Sequence, residues 1–263
     1  MKVYYMNGAG NDFMVLDARG MGKEDFSGLA KELCALNGAD GFMAVDHSNI
    51  ADFRLHFYNS DGSRGEMCGN GARCICRFAY DLGIAGKRMT VETDAGEVPG
   101  FRLDENLYCV HLNLPGKMNL WGWEDVAYVE LGDPGVPHVV AEYRGDLWAD
   151  AEMLKERMRA LRHDPRFPKG ANINFFQFTG DLPGEVRMLT FERGVEDFTR
   201  ACGTGCGATA VMLRLNGWLP SGILTAHNRG GTLTVEVCEE GANIDRIKLT
   251  GPTEIVKIFE IDL

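Results

Sequence analysis

FYNSDGSRGEMCGNGARCICRFAYDLG (57–83) and FERGVEDFTRACGTGCGATAVMLRLNG (191–217) are two segments of this chain that align without a gap when Cys68 is placed over Cys202. A phenylalanine lies 11 residues before each cysteine, and three glycines recur at a constant offset of 134. Matched spacings over so long a stretch are typical of an internal repeat. The sequence therefore predicts two homologous halves.

Each half shows the same order of local patterns. The β-rich runs FRLHFYN (53–59) and EVRMLTFE (185–192) lead into the cysteine loop. A helical spacing of apolar residues follows each C-G-x-G segment, and we expect these helices to end at Gly83 and Gly217. We predict an α+β fold with two α/β domains related by a pseudo-two-fold axis and the active site in the cleft between them.

The domain boundary is placed where LNLPGKMNL (112–120) interrupts the strand pattern. We predict an N-terminal domain at 1–116 and a C-terminal domain at 117–263, with a strand near 255–263 that can pack back on the first domain. Two further helices are predicted near 25–37 and 150–162, at comparable places early in each half. A chain of 263 residues is long enough for each domain to bury its own core.

Composition narrows the class of partner. The formal net charge of −11 argues against nucleic acid or an anionic membrane, because an acidic protein gains neither counterion release nor surface attraction from them. No secretory signal and no run of 18 apolar residues is recognised, so we expect a cytoplasmic protein. In a reducing compartment the eight cysteines are expected to be thiols, and their spacing does not fit a zinc site.

The position of Cys68 and Cys202 indicates reactive thiols. A cysteine at the start of a helix lies beside free backbone N–H groups and the positive end of the helix dipole, which is expected to lower its pKa. The same N–H groups can bind a carboxylate. Inverting an amino-acid stereocentre requires a base on one face of Cα and an acid on the other, and two such loops can supply both without a cofactor.

These motifs resemble those of the diaminopimelate epimerase family, and the resemblance covers nearly the whole chain. The similar segments are NGAGNDF (7–13), NSDGSRGEMCGNGARC (59–74), VPHVV (136–140), GANINF (170–175), ERG (192–194), ACGTG (201–205) and TGP (250–252). The resemblance implies the fold of that family and epimerisation of LL-2,6-diaminopimelate to the meso form, a step of lysine and peptidoglycan biosynthesis. It also implies an isomerase that needs no pyridoxal phosphate and no metal, and a homodimer.

By the same resemblance, Cys68 and Cys202 are the catalytic pair. The residues expected to bind the substrate are Asn11, Asn59, Gly69, Asn70, Asn172, Glu192, Arg193, Gly203 and Thr204. Among them, Arg193 suits a distal carboxylate because its guanidinium is a planar fork. His138 is a candidate for a supporting role, or equally a core histidine.

Two departures from the family pattern leave the substrate open. Val136 stands where the family often has asparagine, and Phe198 precedes Thr199 where the family often has Glu-Thr. One alternative is therefore a racemase of another amino acid, such as histidine or one with a basic side chain, that uses the same cysteine pair. Another is a ligand-binding relative that has lost catalysis.

Overall fold

A computed structural model describes residues 1–22, 25–65, 68–123, 126–133, 135–180 and 184–261, with only the backbone of 121–123. Glu66 and Met67, within the first cysteine motif, lie outside the described residues. The elements in chain order are β1 (Lys2–Gly8), β2 (Asn11–Asp17), α1 (Ser27–Asn37), β3 (Gly41–Asp46), β4 (Phe53–Asn59), α2 (Gly69–Asp81), β5 (Arg88–Thr93), β6 (Gly96–Arg102), β7 (Leu107–Leu112), β8 (Pro115–Trp123), β9 (Val126–Gly132), β10 (Gly135–Glu142), α3 (Ala151–Arg162), β11 (Asn172–Phe178), β12 (Glu185–Glu192), β13 (Asp197–Thr199), α4 (Gly203–Leu215), β14 (Ile223–Asn228), β15 (Gly231–Glu240), β16 (Asn243–Pro252) and β17 (Glu254–Glu260). The expected α+β class is confirmed.

The chain divides into two compact units. The first comprises Met1–His111 together with Thr250–Leu263, and the second comprises Leu112–Leu249. The C-terminal strand β17 belongs to the first unit, where it pairs antiparallel with β1. At 116/117, where the sequence analysis places its boundary, the chain lies inside β8. Pro115 does not interrupt that strand because it is its first residue, a position that tolerates the missing N–H.

The two units repeat one order of strand pairings. In the first, β1–β2 is antiparallel, β2–β3 parallel, β3–β4 antiparallel, β4–β5 parallel and β5–β6 antiparallel. In the second, β9–β10, β10–β11, β11–β12, β12–β14 and β14–β15 follow the same sequence of directions. The internal repeat read from the cysteine segments therefore extends to the topology of each unit.

Helices α2 and α4 are the central helices of their units. Both are 13 residues long and lie at an offset of 134, and each has ten buried residues. Gly83 and Gly217 follow two residues after the helix ends with φ of 67° and 75°, the left-handed conformation that glycine adopts readily. The predicted helix ends are thus confirmed. Among the described residues, no helix combines the length and apolar character needed to cross a bilayer.

Candidate functional site

Each candidate cysteine is the N-cap residue of its central helix. Cys68 precedes α2 with φ −128° and ψ 120°, and Cys202 precedes α4 with φ −122° and ψ 108°. Each side chain thus stands beside the N–H groups of the first helical turn, which have no partner within the helix. Gly69 and Gly203, the first residues of the two helices, are both buried.

In the first unit, a directed chain of hydrogen bonds holds the start of α2. Arg73 donates from Nη2 to Asn70 Oδ1 at 2.9 Å, Asn70 donates to Asn11 Oδ1 at 2.6 Å, and Asn11 donates to Asp40 Oδ2 at 3.2 Å. Arginine can only donate, so it fixes which end of each amide faces which neighbour. The chain runs from a cation to a carboxylate and brings the predicted residues Asn11 and Asn70 together beside Cys68.

The N-terminal loop lies directly against this helix start. A Cβ added at Gly8 would be 2.8 Å from Cys74 Sγ and 2.9 Å from Asn70 O, so only glycine fits there. The loop then turns sharply through Ala9 and Gly10, with φ of 54° and 90°. This close approach explains the glycine-rich NGAGN segment and positions Asn11, the first residue of β2.

Asn59, the last residue of β4, has a different neighbourhood. It is exposed, and its Nδ2 donates to Ser63 Oγ at 2.9 Å. Its backbone pairs with Gly41 of β3. The described contacts therefore place Asn59 at the end of β4, outside the Arg73–Asn70–Asn11 chain.

In the second unit, Cys202 is buried at the start of α4 with 6% of its surface exposed. Its sulfur accepts a hydrogen bond from the Gly205 N–H at 3.3 Å and lies 3.5 Å from Thr204 Oγ1. Burial raises the pKa of the Cys202 thiol well above its usual range, and the Glu192 carboxylate raises it further, while Thr204 and the Gly205 N–H act in the opposite direction. The expectation of a lowered pKa is therefore wrong for Cys202, because the cost of burying a thiolate exceeds the stabilisation by the helix start.

The turn after β12 carries the two charged residues expected to bind substrate. Glu192 is the last residue of β12, and the N–H of Arg193 donates to Asn172 Oδ1 at 2.8 Å. The Arg193 guanidinium donates from Nη1 to the Lys169 carbonyl at 3.2 Å. The structure thus brings Asn172, Glu192 and Arg193 together within the unit that carries Cys202.

His138 lies in β10 opposite Asn172 of β11 and is fully buried. Burial, with a smaller contribution from the Arg193 charge, lowers the pKa of His138 to about 3, so the ring is neutral. Its Nδ1 lies 3.2 Å from Asn174 Nδ2. Nε2 has no hydrogen-bond partner among the described residues.

The sequence of this chain matches that of known proteins in both halves. The sequence profile described as diaminopimelate epimerase matches residues 3–106 and 132–256. A diaminopimelate epimerase of Aquifex aeolicus is 36% identical over 99% of this chain and 96% of its own length. One of Archaeoglobus fulgidus is 36% identical over 90% of this chain and 89% of its own. The chain belongs to the diaminopimelate epimerase family.

Solved structures of more distant proteins share the fold of the diaminopimelate epimerase family. A phenazine biosynthesis protein of the PhzF family from Bacillus anthracis has a TM-score of 0.79 at 15% identity and covers 100% of this chain and 99% of its own. A hydroxyproline epimerase from Agrobacterium vitis has a TM-score of 0.66 at 16% identity, covering 99% and 90%. At these identities the likeness concerns architecture alone.

Two buried polar residues near the helix starts escaped the sequence analysis. Arg73 is 0% exposed although arginine is seldom fully buried, and it lies three residues after Asn70, on the same helix face. Asn174 is also 0% exposed and interrupts the apolar run of β11. The available signal in both cases was a charged or amide side chain whose immediate neighbours in the sequence are apolar, Ala72 and Cys74 for Arg73 and Ile173 and Phe175 for Asn174.

The two departures from the family pattern have different surroundings. Phe198 packs edge-to-face on Phe191 with ring centroids 6.0 Å apart and joins the apolar core of the second unit. Val136 is partly buried in β10 and pairs with Leu131. Phe198 therefore serves packing. In the described part of the chain, no three histidine, cysteine or carboxylate side chains lie together as a metal site requires.

Proposed function

We propose that this isomerase interconverts LL-diaminopimelate and meso-diaminopimelate without pyridoxal phosphate, using Cys68 and Cys202 as the acid/base pair. The observation that carries the proposal is the matched pair of N-cap cysteines, with nearly identical backbone angles, on two helices of equal length in a member of this family.

The proposed reaction is a proton abstraction followed by a proton return. A thiolate removes the proton from the substrate Cα and becomes a thiol, and the second thiol gives its own proton to the opposite face and becomes a thiolate. The high pKa of buried Cys202 keeps it protonated, which suits it to be the donor in the resting protein. After one turnover the two sulfur atoms have exchanged roles, and the reverse reaction restores the first state.

The two helix starts would hold the reacting carboxylate. The N–H groups of Gly69, Asn70, Gly203 and Thr204 belong to the first turns of α2 and α4, at the positive ends of the two helix dipoles. They would stabilise the negative charge that spreads onto this carboxylate as Cα loses its proton. In pyridoxal-dependent racemases the cofactor takes up that charge.

Asn11, Asn59, Asn172, Glu192 and Arg193 would bind the amino groups and the distal carboxylate. Glu192 supplies an anion for an ammonium group, and Arg193 supplies the planar cation for the carboxylate. Arg193→Lys keeps the charge but loses the fork, so KM for diaminopimelate should rise about tenfold with kcat little changed. Steady-state kinetics measure this change, and an unchanged KM would show that Arg193 does not bind the substrate.

The surroundings of Phe198 and the names of the relatives support diaminopimelate over another amino acid. Phe198 is accounted for by core packing, so it gives no reason to expect a different side chain on the substrate. The relatives described above, at 36% identity, are named diaminopimelate epimerases. Neither observation favours a histidine racemase or a non-catalytic binding protein.

The proposal extends to assembly and location. We propose a homodimer, supported by β17, a strand of mostly exposed residues whose Val256 and Ile258 are 49% and 50% exposed. We also propose a cytoplasmic location, where thiols such as Cys34, Cys74 and Cys76 remain reduced. Sedimentation of the purified protein tests the first, and cell fractionation tests the second.

Hydrogen exchange at Cα tests the reaction. Purified protein is incubated with LL- or meso-diaminopimelate in deuterated water, and incorporation of deuterium is followed by mass spectrometry together with the change of configuration. Cys68→Ala and Cys202→Ala should each slow epimerisation by about 10²- to 10⁴-fold, the range that general acid–base groups contribute. The matched control is Cys74→Ala, a buried thiol on α2, which should retain activity. No exchange on either isomer by the unmodified protein would refute the function.

A further inference from the structure

Asn174 is a buried amide whose orientation is fixed by its neighbours. Its Nδ2 lies 3.2 Å from the Val139 carbonyl, 3.1 Å from the Asn172 carbonyl and 3.2 Å from His138 Nδ1. Carbonyls only accept hydrogen bonds, so the nitrogen must face them. The amide oxygen therefore points the other way, where Thr190 Oγ1 donates to it at 3.0 Å. The side chain ties β10, β11 and β12 together.

The same oxygen occupies the space beside Gly205 in the first turn of α4. A Cβ added at Gly205 would be 2.1 Å from Asn174 Oδ1 and 3.3 Å from Cys202 Cβ. Glycine is thus required at 205 because the amide oxygen takes the place of a side chain. The N–H of this glycine is the donor to Cys202 Sγ. The amide therefore sets how closely the first turn of α4 approaches β11, and with it the place of the donor that holds the sulfur.

We propose that Asn174 is a positioning residue for Cys202 that acts through Gly205. The proposal rests on the function given above, since it assigns the effect to a sulfur that transfers a proton. It separates two roles in this unit: Asn172, Glu192 and Arg193 bind the substrate, whereas Asn174 sets the geometry of the acid/base group. Loss of the amide should therefore change kcat rather than KM.

The test combines two substitutions that are harmful singly for complementary reasons. Asn174→Ala removes the oxygen that supports the helix start, and Gly205→Ala adds a methyl group where that oxygen lies. In the double variant the methyl group enters the vacated space, so its defect should be smaller than the product of the single defects. Thr190→Val, which removes only the donor to the amide oxygen, is a milder second variant in case Asn174→Ala does not fold.

Asn228 offers a matched control. It is a buried asparagine at 7% exposure, and its Nδ2 donates to the Ala226 carbonyl at 3.0 Å and lies 3.6 Å from Cys206 Sγ, one turn further along α4. Asn228→Ala removes a strand amide that contacts the same helix, at Cys206 rather than at Gly205. It should lower the Tm while kcat stays as in the unmodified protein.

For Asn174→Ala we expect kcat for epimerisation to fall about 10- to 100-fold, as for a displacement of about 1 Å at a reacting group, with KM nearly unchanged. Thr190→Val should show a smaller fall of the same kind. Two results would overturn the proposal. One is a kcat defect in the double variant that equals the product of the defects of Asn174→Ala and Gly205→Ala, and the other is a fall in kcat for Asn174→Ala no larger than for Asn228→Ala. If Asn174→Ala is unfolded, a normal kcat in Thr190→Val overturns it.

A substrate-free measurement separates this proposal from the proposed function. In a Cys68→Ala background, the rate at which iodoacetamide modifies Cys202 at pH 8.5 is compared across the same four Asn174 and Gly205 combinations. Non-additive rates support the coupling even where diaminopimelate is not turned over, and additive rates reject it. Absence of exchange by the unmodified protein, by contrast, rejects the function and leaves the coupling to be judged by alkylation alone.

Discussion

Replacing Gly8 with alanine places a methyl group between the N-terminal loop and the start of α2. Its Cβ would lie 2.8 Å from Cys74 Sγ and 2.9 Å from the Asn70 carbonyl oxygen. Packed atoms prefer separations of about 3.5 to 4 Å, so the loop and the helix start must move apart by roughly 0.6 to 1.2 Å. One of the two close neighbours is backbone, which cannot rotate away.

The size of the effect follows from that displacement. Overpacking of a buried site costs about 1 to 3 kcal/mol, and for a chain of this size each kcal/mol lowers the Tm by about 2 to 4 °C, so a fall of roughly 2 to 12 °C is expected. The displaced segment includes Asn70 and the turn that begins at Cys68. A shift of about 1 Å at such a position should lower kcat by about 10- to 100-fold.

Thermal unfolding and steady-state epimerisation measure the two effects. The matched control is Gly28→Ala in α1, where an added Cβ meets nothing within 4 Å and alanine should stabilise the helix by up to about 1 kcal/mol. Cys74→Ala in the Gly8→Ala background removes one of the two clashes and should restore part of the Tm. If Gly8→Ala is as stable and active as Gly28→Ala, the close approach of loop and helix does not position Asn70.

Further outcomes concern titration and thiol reactivity. Glu192→Gln removes the negative charge that raises the pKa of Cys202, so alkylation of Cys202 at pH 8.5 should become faster, although burial keeps that pKa above its usual value. Burial lowers the pKa of His138 to about 3, so between pH 6.5 and pH 3 the unfolded chain binds a proton that the folded protein does not. The stability that the neutral, buried His138 provides is therefore complete above pH 6.5 and is lost as the pH falls toward 3. The loss amounts to about 2 kcal/mol at pH 5, and His138→Gln should flatten the fall of Tm on acidification. Burial raises the pKa of Cys34 and of Cys74 to about 12, so both should resist iodoacetamide at pH 8 in the folded protein and react after denaturation, as peptide mass spectrometry would show. Labelling of either one in the folded state would contradict the burial described here.

Periodicity and spacing predicted much of each unit. The runs FRLHFYN and EVRMLTFE coincide with β4 and β12. Both are rich in residues of high β-propensity, whose side chains pack well on the surface of a sheet. The helix ends at Gly83 and Gly217 were readable because a left-handed residue there favours glycine. The strand β8 was missed, since the Pro115–Gly116 pair at its start looks like a break, although the first position of a strand accepts proline.

The electrostatics of the site could not be read from local sequence. The start of α4 predicts a stabilised thiolate at Cys202, whereas the surrounding fold buries the sulfur and reverses the direction of the pKa shift. Asn174 and Arg73 owe their importance to partners on other elements, so a single segment does not reveal them. Backbone pattern is a local property, and desolvation is a property of the whole unit.

The antiparallel pairing of β1 with β17 has a consequence for how the protein is made. On the ribosome, residues 112–249 emerge as an uninterrupted unit that can fold as soon as it is clear of the exit tunnel. The half that is translated first keeps one edge of β1 unpaired until β17, some 250 residues later, has been synthesised. The unit that contains β1 therefore finishes folding after the unit formed by residues 112–249. Until then the unpaired edge of β1 is exposed to chaperones and to neighbouring nascent chains.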